Sequence, residues 1–98
     1  MAKLERDFQS GLIKELKDTY PGCVVMKTDP NYIQGIPDLL ILHNDKWASL
    51  EVKKSANAKK RPNQEYYVEK MNQMSFASFI YPENKEEVLR ELRKTFES

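Results

Sequence analysis

Two acidic residues and a lysine near the middle of this chain have the types and spacing for metal-assisted hydrolysis of a phosphodiester. Asp38 follows Gly35-Ile36-Pro37 and opens an apolar run; Glu51-Val52-Lys53 closes the next β-rich segment. Paired carboxylates offer hard oxygen ligands to a divalent cation such as Mg2+ or Mn2+. Such a cation polarises a phosphoryl oxygen and lowers the pKa of bound water. Lys53 is then placed to orient or deprotonate the attacking water, or to neutralise charge on the pentacoordinate phosphate. For Glu51 and Lys53 taken alone, a solvated strand face with ordinary ion pairing is the other reading.

The geometry follows from a hairpin. If Asn44 and Asp45 are the two central residues of a tight turn, with φ > 0 tolerated by both, His43 faces Lys46 and Leu42 faces Trp47. Counting outward, Asp38 faces Glu51, with Cβ atoms about 4.5–5.5 Å apart on one side of the sheet. A four-residue loop keeps this register and a three-residue loop shifts it. Opposed carboxylates repel, and a shared cation removes that cost. Strand periodicity puts Lys53 on the Glu51 face, about 6.6 Å further along, and turns Leu50 and Val52 into the core.

The surrounding elements can be read in order. Leu4, Phe8, Leu12 and Leu16, widened by Ile13, predict a helix from about Leu4 to Asp18, ended by Tyr20-Pro21-Gly22. Cys23 to about Thr28 reads as an inner strand, and Asp29 to Ile36 as a loop. Leu39-Leu40-Ile41-Leu42 is continuously apolar, the mark of a strand covered on both faces, and Trp47 to Lys54 returns beside it. Ser55 to Lys60 is a loop. Pro62 suits a first helical position, and Tyr67, Val68, Met71 and Met74 continue at helical spacing. Ser75 to Tyr81 is a fourth strand. Asn84 then caps a last helix, with Glu87 as its return partner and Val88, Leu89, Leu92 and Phe96 as its stripe. The resulting order is αβββαβα, an α/β fold with a small mixed β-sheet flanked by helices.

Composition bounds the rest. Ninety-eight residues with 40% apolar and 10% aromatic content suit a single domain, 1–98, with one packed core. No apolar run reaches membrane-span length and no signal-peptide core is visible, so the chain reads as intracellular and cytoplasmic, without a membrane partner. The single Cys23 excludes an internal disulfide and reads as a small buried hydrophobe. A net charge of +1 conceals polarity. Lys53, Lys54, Lys59, Lys60 and Arg61 form a basic run, whereas Glu83, Glu86, Glu87 and Glu91 gather near the C-terminus. That separation suits a polyanion held on one side, although a basic run alone is also what a solvated loop looks like.

Gly35-Ile36-Pro37-Asp38 followed by Glu51-Val52-Lys53 resembles the signature of the PD-(D/E)XK nuclease superfamily. The αβββαβ order is similar to that superfamily's restriction-endonuclease-like core over nearly the whole chain. The compact size and the Gln64-containing helix most resemble the virus-type replication-repair nucleases (VRR-NUC), including stand-alone phage members. The resemblance implies that Asp38, Glu51 and the Val52 carbonyl are ligands of Mg2+ or Mn2+ and that Lys53 is catalytic. It also implies a ligand role for an acid on the first helix. Glu5 is the match, and a surface acid is its other reading. Gln64 matches the family's glutamine after the lysine strand; independently, it shares a helical face with Tyr67, Val68 and Met71, which turns it inward. A glutamine bonding back to the helix cap is the alternative.

The expected activity is therefore that of a divalent-metal-dependent DNA endonuclease, with a resolvase-like preference for Holliday junctions. A flap or duplex nuclease of the same fold is the runner-up. Lys54, Lys59, Lys60, Arg61 and Lys27 are the expected phosphate contacts, with Asn31 and Tyr32 as further substrate contacts. Symmetric cleavage of a junction needs two sites, hence a homodimer, in host-cell cytoplasm if the source is viral. A non-catalytic nucleic-acid-binding module and a protein-docking module using the acidic last helix are the rivals. His43, in the predicted turn, is expected to be an exposed bystander. Trp47, Tyr66 and Tyr67 fit either base stacking or core packing.

Overall fold

A computed structural model describes residues 3–98. The chain runs α1 (Lys3–Thr19), β1 (Val24–Lys27), β2 (Leu39–His43), β3 (Lys46–Val52), α2 (Pro62–Met74), β4 (Phe76–Ile80) and α3 (Lys85–Glu97). The strands form one mixed sheet in the order β1-β2-β3-β4. β1, β2 and β3 are antiparallel, and β4 joins β3 in parallel after crossing over through α2.

Helix α1 ends where Pro21 cannot extend it and Gly22 takes a left-handed φ of 88°. Leu12 and Leu16 are its buried apolar side chains, and with Tyr20 just after it they meet Leu39, Ile41, Ala48, Leu50, Val52 and Ile80 of the sheet and Val88, Leu92 and Phe96 of α3. This apolar layer is the core. Leu4 departs from the expected stripe and is 73% exposed, while Gln9 is buried. Lys85 and Glu15 pair at 2.6 Å between α3 and α1, an exposed contact that orients more than it stabilises.

The hairpin has the expected register, with Leu42 opposite Trp47 and His43 opposite Lys46. Of the two turn residues, Asn44 alone has positive φ, at 55°. Even-numbered β3 residues face the core, so Trp47, Ser49, Glu51 and Lys53 face α2. Because α2 packs on β3 and β4, it leaves the same face of β1 and β2 bare.

Three readings are corrected as a result. β1 is an edge strand rather than an inner one, with Val24 50% and Met26 47% exposed. β2 is buried on one face by Leu39 and Ile41, whereas Leu42 on the other is exposed. Asn84 precedes α3 as expected, but its Oδ1 accepts from the Tyr81 N–H at 2.8 Å and makes no forward cap with Glu87. Among the described residues no helix is long and apolar enough to cross a membrane.

Candidate metal and phosphodiester site

The C-terminal end of β3 lies under the first turn of α2, and there the chemistry-bearing residues converge. Extending the Leu39–Leu50 pairing by one residue sets Asp38 opposite Glu51. Asp38 Oδ2 accepts the Val52 N–H at 2.9 Å. It fills the place of the Pro37 carbonyl, which is taken by the Thr28 hydroxyl at 2.6 Å. The Lys53 N–H points the other way, to the Ile80 carbonyl at 2.9 Å. The Val52 carbonyl therefore lies on the β2 side, opposite Pro37, which has no N–H to give it. The proline in front of Asp38 thus leaves a backbone oxygen unclaimed beside two carboxylates.

Glu51 and Lys53 are 3% and 8% exposed, which is unusual for charged side chains. Lys53 Nζ lies 3.7 Å from Glu51 Oε2. Gln64, in the first turn of α2, joins them: Lys53 Nζ donates to Gln64 Oε1 at 2.8 Å, and Gln64 Nε2 donates to Glu51 Oε2 at 3.2 Å. The Arg61 N–H donates to the same Oε1 at 3.1 Å. Only this amide orientation satisfies all three partners. Gln64 thus unites two roles that the sequence offered as alternatives, closing the helix start and holding the charged pair.

Glu51 Oε1 is buried and has no hydrogen-bond partner. Burial first, and the Asp38 charge second, push the Glu51 carboxyl up to about 8. Burial also raises Asp38, against the lowering pull of the Val52 N–H and Lys53. Two neighbouring acids held above their ordinary range, one with an orphaned oxygen, are short of positive charge. A hard cation would meet that shortage, so the donors present fit Mg2+ or Mn2+: Asp38, Glu51, the free Val52 carbonyl and water. Glu5 lies on the wall of the same groove. Among the described residues no three His, Cys, Asp or Glu side chains form a metal cluster, so Glu5 does not complete a triad with the pair.

The site opens into a groove of about 950 Å³. Pro30, Asn31, Gln34 and Gly35 line one part of it, and Lys59, Arg61, Pro62 and Asn63 another. Gly35 has φ of 91°, and a side chain there would collide with the Asn63 backbone, whose carbonyl carbon and oxygen lie 2.8 and 2.9 Å from the Cβ position. Only glycine allows the loop to dock this closely on α2. Lys59 and Arg61 face the groove. Lys60 does not; its ammonium lies over Phe79 and Tyr81, 5.0 and 5.6 Å from the ring centres. Lys54 and Lys27 are exposed outside the groove lining.

Other expectations resolve individually. His43 is the last residue of β2, half-buried against Tyr20 and Phe96 at 5.2 and 5.4 Å between ring centres, so it is no exposed bystander. Cys23 packs at the core edge, and burial raises its thiol, which suits a structural role. Tyr66 stands 55% exposed against Tyr67. Comparison with family models, curated proteins and solved structures finds no match to this chain.

Proposed function

We propose that the chain is a divalent-metal-dependent DNA endonuclease with a PD-(D/E)XK-type αβββαβα core. The observation that carries this reading is the buried Asp38–Glu51 pair, with Glu51 Oε1 unpartnered, opening onto a groove that Lys59 and Arg61 line. Asp38, Glu51 and the Val52 carbonyl would hold Mg2+ or Mn2+. The bound ion would supply Lewis acidity and a more acidic water. Lys59 and Arg61 hold the phosphate backbone by charge, an attraction that weakens steeply with salt. Lys53 brings a buried ammonium to the reacting phosphate, where low dielectric strengthens its hold on developing negative charge. Gln64 fixes Lys53 relative to Glu51, and the cover of α2 limits water access.

A branched substrate, with resolvase-like cutting of Holliday junctions, is the preferred target, and flap or duplex cleavage the alternative. A homodimer would supply the second site that symmetric cutting requires. The apolar row of Val24, Met26 and Leu42, bare beside an edge strand, supports self-association. Incubating the protein with labelled junctions, flaps, duplexes and single strands, with and without Mg2+ or Mn2+, tests the activity. Metal-dependent cleavage is expected; metal-independent binding without cleavage of any substrate favours a non-catalytic module. A strict monomer at assay concentration, by size-exclusion mass measurement, counts against junction resolution.

A further inference from the structure

Tyr32 is 84% exposed, more than any other large apolar side chain among the described residues. It has no ring or cation partner there. A single exposed ring is ordinary on a protein surface; the position of this one in the chain is what gives it weight.

Its backbone is firmly held. Asp29 Oδ1 accepts the Asn31 N–H at 2.9 Å, and the Asp29 carbonyl accepts the N–H groups of Tyr32 and Ile33 at 3.1 and 3.3 Å. The Ile36 N–H donates to the Ile33 carbonyl at 3.3 Å, and Gly35 then anchors the loop against Asn63. Residues on both sides of Tyr32, Asn31 and Gln34 among them, line the groove that holds Asp38 and Glu51. Tyr32 itself is not among the lining residues, but it sits on a braced turn between residues that line a groove also carrying Lys59 and Arg61.

We infer that Tyr32 is a stacking platform for an unstacked nucleobase next to the phosphodiester to be cut, and that it selects DNA with unpaired nucleotides over continuous duplex. The inference rests on the nuclease reading above and deepens it. Bases inside a duplex are already stacked, so they gain nothing from an external ring. A base at a branch point or in a single strand gains a partner, without any sequence preference. The braced backbone leaves little of the platform still to be ordered on binding.

The test uses the full chain in Ca2+, with 2-aminopurine placed at the branch of a junction, in a single strand or inside a blunt duplex. Tyr32→Ala should weaken binding to the junction and single strand roughly ten-fold or more and relieve the fluorescence quenching, while duplex affinity stays unchanged. Tyr32→Phe and Tyr32→Trp should retain both properties. Equal affinity of Tyr32→Ala for branched DNA, equal loss on duplex, or a changed particle mass showing that the ring serves a second copy overturns the proposal. Mn2+-dependent hydrolysis of bis(p-nitrophenyl) phosphate separates the two ideas. Its absence in the unaltered protein defeats the nuclease reading, whereas a normal rate in Tyr32→Ala with unchanged branch preference defeats the platform alone.

Discussion

Gln64 donates from Nε2 to one oxygen of Glu51 and leaves the other, Oε1, buried without a partner. The helix thus anchors the carboxylate through Oε2 and keeps Oε1 open for a proton or a cation. Without a metal, that choice depends on pH.

Metal-free stability should fall as pH rises from about 4.5, the ordinary glutamate value, to about 8, where Glu51 sits in the folded chain. Across this window the native state binds more protons than the unfolded state, so the unfolding free energy decreases with pH, by a few kcal/mol in all. Asp38 is shifted in the same direction and adds to the slope. Thermal melts from pH 5 to 8 check this. Glu51→Gln should flatten the curve, and Mg2+ should restore stability at the alkaline end by taking the proton's place.

Gln64→Leu keeps the helix but removes both the bridge and the Arg61 contact. Cleavage under Mn2+ should fall about 10–100-fold, the usual cost of losing a residue that orients metal ligands. Unchanged rates would make Gln64 a helix cap and nothing more.

Gly35→Ala should be damaging although it adds one methyl group. Positive φ and the approach to Asn63 resist it together, for a loss of about 2 kcal/mol and a Tm lower by about 10 °C. Differential scanning fluorimetry measures this directly.

The basic run should divide by position. Lys59→Ala and Arg61→Ala should each reduce the slope of log affinity against log salt by about 1. Lys60→Ala should leave that slope unaltered and cost roughly 0.5–1 kcal/mol of stability, because its ammonium covers Phe79 and Tyr81. DNA binding titrations at several salt concentrations distinguish these outcomes.

The parts of this arrangement that were legible in the sequence are local ones. Asn44-Asp45 marks a tight turn, and side-chain alternation from that point brings Asp38 and Glu51 together without knowledge of the rest of the chain. What sequence could not show depends on distant partners. His43 is drawn inward by Tyr20, just after α1, and by Phe96 of α3. Lys60 looks like its basic neighbours until Phe79 and Tyr81 arrive beneath it from the end of β4. The apolar run of β2 suggests burial on both faces, yet α2 covers only β3 and β4. Gln64 showed an inward face, but its simultaneous hold on Lys53, Glu51 and Arg61 needs the packed helix start. Gly35 stood in the sequence only as part of the Gly35-Ile36-Pro37-Asp38 stretch, because its tight approach to Asn63 depends on where α2 docks.

The central claim is that Asp38 and Glu51 together bind one divalent cation. Calorimetric titration of Mn2+ at pH 8 into the unaltered protein, Asp38→Asn and Glu51→Gln tests it most directly. Saturable binding with proton release in the unaltered protein, lost in both variants, is the predicted result. Undiminished Mn2+ affinity in either variant, or no binding in the unaltered protein, would contradict it.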